Sequence, residues 1–153
     1  MFSNIHAGWV RFQLLGTSAC DLSYLTPIPM EWLDAAIHGL ETLQPFCVKG
    51  YLEPGRMICT VSYGHCYMIC EDEDQTVNDA AMLDIQNSTM GMLEFCQQLA
   101  DDIQRDLDAW ACFFASSKPD DKALLERKLA QLRQLIRKRE GILAGQSSFY
   151  GWL

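Results

Sequence analysis

The chain reads as an α+β protein: a small, mostly antiparallel sheet with one inserted helix, followed by a long C-terminal antiparallel αα-hairpin. Three observations predict this class. Apolar and polar residues alternate near the N-terminus and again in three short runs between residues 46 and 70, which is the period of half-buried strands. A proline-led stretch from residue 29 carries apolar residues at helical spacing, and two long stripes with the same spacing occupy residues 87–144. At 153 residues, 49% apolar and 21% charged, the chain fits a single folded domain with a packed core. The strand-rich part is expected over 1–74, the hairpin over 87–144 and an aromatic tail over 145–153.

Val10, Phe12 and Leu14 alternate with Arg11 and Gln13, placing a first strand at about Trp9 to Leu15. The residues before it, His6 among them, read as a mobile N-terminus. Gly16, Thr17 and Ser18 supply turn chemistry, and a second strand follows over Cys20 to Leu25 until Pro27 and Pro29 stop it. Pro29 also suits the first turn of a helix, where a missing N–H costs nothing. Met30, Leu33, Ile37 and Leu40 then form one stripe of an amphipathic helix at about 29–43, with Trp32 lying off that stripe.

Phe46 to Leu52, Arg56 to Ser62 and His65 to Cys70 predict three strands of an antiparallel meander, joined by turns at Pro54-Gly55 and Tyr63-Gly64. The acidic run Glu71-Asp72-Glu73-Asp74 marks its solvent end, and residues 75–86 fit either a short helix or an ordered loop. From a cap at Asn87-Ser88-Thr89, the residues Met92, Cys96, Leu99, Ile103, Leu107, Trp110 and Phe114 trace one face of a long helix. Pro119 and the acids after it open the second helix. Its stripe is Leu125, Leu129, Leu132, Ile136 and Leu143, interrupted by Arg139, where the seam ends or opens to water.

Charge is divided along the chain. Before residue 118 there are sixteen Asp and Glu against four Lys and Arg, a net −12; from Lys118 onward eight bases face four acids, a net +4. The two hairpin helices should therefore pair acid to base, although exposed ion pairs contribute only about 0–1 kcal/mol each. An overall charge of −8 opposes direct binding to nucleic acid and favours a protein partner with a basic surface. No secretory signal precedes the first strand, and no apolar run approaches the roughly 20 residues of a membrane span. The chain reads as cytoplasmic, and its seven cysteines read as reduced core residues.

Reaction chemistry finds little support in the pattern. His65-Cys66 places imidazole beside thiol in sequence, but strand neighbours point to opposite faces. Cys66 and Cys70 share a face about 13 Å apart by strand rise, too far for one ion. Glu71 to Asp74 lacks the spacing of an EF-hand. Neither G-x-G-x-x-G, the P-loop pattern nor G-x-S-x-G occurs. No catalytic residue, metal ligand or cofactor is assigned.

Two stretches, Ser23-Tyr24-Leu25-Thr26-Pro27-Ile28-Pro29-Met30 and the run LADDIQRDLDAW from Leu99 to Trp110, resemble small uncharacterised bacterial or phage and mobile-element proteins. The resemblance covers about a quarter of the chain and carries no activity to particular residues. It implies an accessory role. With the polarised charge and the aromatic tail, the leading expectation is a non-enzymatic interaction protein anchored by exposed Trp32, Phe149, Tyr150 and Trp152, since aromatics dominate interface hot spots. The first alternative is an acidic inhibitor that blocks a nucleic-acid-binding host defence enzyme, with Glu71, Asp72, Glu73, Asp74, Asp101, Asp102 and Asp106 standing in for phosphates. The second is a small enzyme whose site is assembled from residues distant in sequence.

Overall fold

The computed structural model describes residues 1–71, 84–113 and 117–150, with side chains described as far as Gly145. The α+β class holds, and the strands divide into two antiparallel sheets rather than one. The first sheet has the order β1 (Phe2–His6), β2 (Trp9–Phe12), β3 (Cys20–Ser23). The segment expected to be mobile is thus a paired strand, its register running from Phe2↔Phe12 to His6↔Trp9. A bulge hides it from a period-two reading. Asn4 sits at φ 51° and the register shifts between Ser3 and His6, so the alternation slips within five residues. The β1–β2 turn is two residues long, with Ala7 and Gly8 both at positive φ, the geometry that matches strand twist.

After β3, α1 (Ile28–Thr42) leads into the second sheet, ordered β4 (Phe46–Tyr51), β5 (Arg56–Val61), β6 (Cys66–Glu71), β7 (Asp84–Ser88). The expected three-stranded meander gains β7, which includes residues 84–86 of the stretch read as helix or loop; residues 75–83 lie outside the described residues. Phe46, Val48, Met57, Cys59, Val61, Cys66 and Met68 are buried on one face. Gly50 permits the two sheets to meet: a Cβ there would come within 2.9 Å of the Leu22 side chain on β3.

The long helix expected from the Asn87 cap differs at both ends. Asn87 and Ser88 close β7, and the helix starts with Gly91 as its N-cap. There the Tyr63 carbonyl accepts the Met92 N–H at 3.2 Å. It then breaks at Asp106 (φ −113°, ψ 32°) into α2 (Met92–Arg105) and α3 (Leu107–Ala111). Arg105 accompanies the break by folding back, donating to Asp106 at 2.9 Å, to Asp102 at 2.9 Å and to the Phe2 carbonyl at 3.0 Å.

α4 (Asp121–Tyr150) packs against α1 as well as against α2 and α3, so the hairpin is part of a three-sided helical layer. Its stripe Leu125, Leu129, Leu132 and Ile136 is buried. The acid–base pairing appears as Arg133–Asp101 and Lys122–Asp108, each at 2.7 Å, and as Lys128–Asp34 toward α1. The helix runs on to Tyr150, so residues 145–150 continue α4 where a separate tail was expected.

The sheets and helices meet in an aromatic core. Trp32 lies 5.0 Å from Phe2, 5.1 Å from Phe12 and 6.2 Å from Phe95 between ring centroids, and Phe2 also meets Trp110 at 5.0 Å. Trp32 is fully buried, which corrects its expected role as an exposed anchor. The physical reason is that α1 is covered on two sides. It buries Ile28, Pro29, Trp32, Leu33, Ala36, Ile37, Gly39 and Leu40, a wider band than the single stripe suggested.

Candidate interaction surface

An apolar concavity forms where the end of α1, the β5–β6 turn, the start of α2 and the C-terminal half of α4 converge. Leu40 and Met92 are buried beneath it, and Leu43, Tyr63, Leu93, Arg139, Ile142 and Leu143 complete its wall around about 320 Å³. Leu43 and Tyr63 are held by local causes. Leu43 terminates α1 in the left-handed region at φ 53°, its N–H returning to the Gly39 carbonyl. The Tyr63 hydroxyl donates to the Leu43 carbonyl at 2.5 Å.

Arg139 explains the interruption in the α4 stripe. Its guanidinium donates to the Leu40 carbonyl at 3.0 and 2.6 Å and to the Glu41 carbonyl at 3.3 Å. These are carbonyls that the end of α1 leaves without intrahelical donors. Beyond Arg139 the seam opens, and Leu143, expected in the buried stripe, is exposed together with Ile142.

A larger and more polar depression, about 550 Å³, lies over the outer face of the first sheet, lined by Asn4, His6, Trp9, Val10, Arg11, Asp21 and Leu52. Arg11 and Asp21 are opposite one another in the β2–β3 register and hydrogen-bond at 3.0 and 3.2 Å. The bond from Arg11 holds the Asp21 carboxyl below the usual carboxylate range. A carboxylate so stabilised is a weak base, suited to fixing Arg11 rather than to accepting a proton. The His6 Nδ1 lies 2.9 Å from the Asn4 carbonyl.

The acids expected to stand in for phosphates take different places. Asp102 is 1% exposed, a correction to its role on the surface. Its carboxylate accepts the Phe2 N–H at 2.8 Å, Gln98 at 3.0 Å and Arg105 at 2.9 Å. Asp101 pairs with Arg133, Asp106 with Arg105, and Glu71 with Arg56 at 2.5 Å. Asp72, Glu73, Asp74 and Trp152 lie outside the described residues, as do the side chains of Phe149 and Tyr150 on α4. Sequence reasoning missed Leu43, Tyr63 and Ile142 as surface candidates. The signal for Ile142 and Leu143 was the break that Arg139 makes in the heptad; Leu43 and Tyr63 carried none.

The thiols bear on stability rather than on this surface. Among the described residues no group of His, Cys, Asp and Glu is arranged to hold a metal ion. Burial, with a smaller contribution from Cys66, pushes the Cys96 thiol up from 9.0 to about 12. The native chain therefore keeps a proton that the unfolded chain loses above pH 9. Stability from this group is complete below pH 9 and declines as pH rises toward 12. One proton over three pH units corresponds to about 4 kcal/mol. Urea midpoints measured between pH 8 and 11 should fall, and Cys96→Ala should fall less steeply by about one proton; equal slopes would remove Cys96 as the cause.

No protein-family model, curated protein or solved structure matches the chain.

Proposed function

We propose that the chain is a non-enzymatic interaction protein whose groove beside the C-terminal half of α4 receives a basic amphipathic helix from a protein partner. The observation that carries this reading is convergence. Leu43, Tyr63, Ile142 and Leu143 are 46%, 62%, 44% and 55% exposed and surround one groove. Scattered exposed apolar residues need no explanation, but a contiguous apolar patch marks a contact site. A helix docks in such a groove through apolar anchors at i, i+3, i+4 and i+7.

The basic character of the partner follows from the rim. Glu41 and Glu94 are exposed and adjacent in sequence to Leu40 and Leu93, and the guanidinium of Arg139 in the wall is taken up by the α1 carbonyls. Complementary charge of this kind speeds encounter and fixes orientation more than it adds affinity. An accessory role of this sort agrees with the resemblance carried by Ser23–Met30 and Leu99–Trp110.

The test uses the full chain with a photocrosslinker placed at Gly141, in parallel with Ile142→Glu/Leu143→Glu. Both replaced side chains are exposed, so unfolding midpoints should stay within about 0.5 kcal/mol of the parent. Crosslinked partners should carry Lys- and Arg-rich amphipathic helices, and the double variant should bind them about a hundredfold more weakly. Equal binding by both chains, or a partner without such a helix, would reject the reading.

A further inference from the structure

We propose that Cys20 and Cys70 form a reversible disulfide that staples β3 to β6 and so joins the two sheets under oxidising conditions. The strand layout brings these residues together. The Ser18 N–H donates to the Gln86 side chain at 2.6 Å, across the boundary between the sheets. At the other end of β3, Leu22 lies against Gly50, whose row across the second sheet continues through Met57, Cys70 and Asp84. Cys20, midway between Ser18 and Leu22, is thereby carried across that sheet toward Cys70. Both sulfurs belong to half-buried residues packed on the edge of the core, and both are reduced in this structure. Cys70 is the neighbour that does most to raise the Cys20 thiol above its ordinary range.

A second pair of cysteines differs in access. Cys59 and Cys66 lie on the neighbouring strands β5 and β6, yet both are fully buried, beyond reach of a dissolved oxidant. Cys20 holds its proton strongly, first because of its neighbour Cys70 and then because of burial. Either thiolate can attack first, with the same product. With glutathione disulfide as the oxidant, the Cys70 thiolate attacks one of its sulfurs, the S–S bond breaks and one glutathione thiolate leaves. The Cys20 thiolate then attacks the Cys70 sulfur of the mixed disulfide and expels the second. The two protons given up by the cysteines end on two glutathione thiols; the protein loses two electrons and the glutathione disulfide gains them.

Such a bridge closes a loop of about 50 residues, which restricts the unfolded chain and should raise Tm by about 10 °C. The test equilibrates the full chain in glutathione buffers of rising oxidised fraction, quenches by alkylation and maps links after non-reducing chymotryptic digestion. Tyr24, Trp32 and Phe46 separate Cys20 from Cys47, while Tyr67 separates Cys70 from Cys66. A Cys20–Cys70 peptide should appear before any link to Cys59, Cys66 or Cys96. The oxidation-dependent gain in Tm should vanish in Cys20→Ser and in Cys70→Ser but persist in Cys47→Ser. Cys20 and Cys70 recovered only as alkylated or glutathionylated residues would overturn the proposal, as would an equal gain in Tm with both serine variants.

Discussion

Trp32→Ala is expected to destabilise the fold by about 3–5 kcal/mol, the cost of truncating a large aromatic in a close-packed core. For a domain of this size that lowers Tm by roughly 10 °C. The indole is enclosed by Phe2 and Phe12 from the first sheet and Phe95 from α2, so no single neighbour can relax into the space it leaves. Its Nε1–H also donates to the Lys49 carbonyl at 2.9 Å, tying α1 to β4. Trp32→Phe keeps most of the volume but orphans that carbonyl, and should cost about 1–3 kcal/mol. Urea unfolding of both variants gives the order. A midpoint unchanged in Trp32→Ala would mean that the side chain is not where the three layers meet.

That residue also shows where the sequence was legible and where it was not. The bounds of α1, β4 and β5 follow from periodicity and proline, and the structure places them within a residue or two of expectation. Periodicity reports one buried face well. It underestimates an element covered from two directions, which is the situation of α1 between the sheets and α4. β1 was hidden for the opposite reason: Asn4 in the left-handed region removes the alternation that a strand needs in order to be recognised. The break between α2 and α3 depends on Arg105 reaching the Phe2 carbonyl, 103 residues away, and no local window contains both. Arg139 was visible as an interruption, but its purpose was not, because the carbonyls it caps belong to another helix. The stretches Ser23–Met30 and Leu99–Trp110 supply buried groups, among them Ser23, Thr26, Leu99, Asp102, Ile103 and Trp110.

Asp102→Ala should cost about 3 kcal/mol, whereas Asp101→Ala and Asp106→Ala should each remain within about 0–1 kcal/mol. The three acids lie within six residues and look alike in sequence. Asp101 is exposed beside Arg133, and Asp106 pairs with the half-exposed Arg105 at the helix break. Asp102 alone is buried, and it accepts hydrogen bonds from Phe2, Gln98 and Arg105 at once. Its removal strands the Phe2 N–H, the first donor of β1, and loosens the strand from α2. Arg105 is 53% exposed and can rehydrate, but the buried Met1 ammonium 3.5 Å from the carboxylate cannot, which keeps the cost within the range of a broken buried ion pair. Asp102→Asn should fall between the parent and the alanine variant, since the amide retains an acceptor for Phe2 but loses the charge that holds Arg105. Hydrogen exchange at the β1 amides should rise in Asp102→Ala and not in Asp101→Ala. Equal losses for all three alanine variants would show that the carboxylate does no more for the fold than its exposed neighbours.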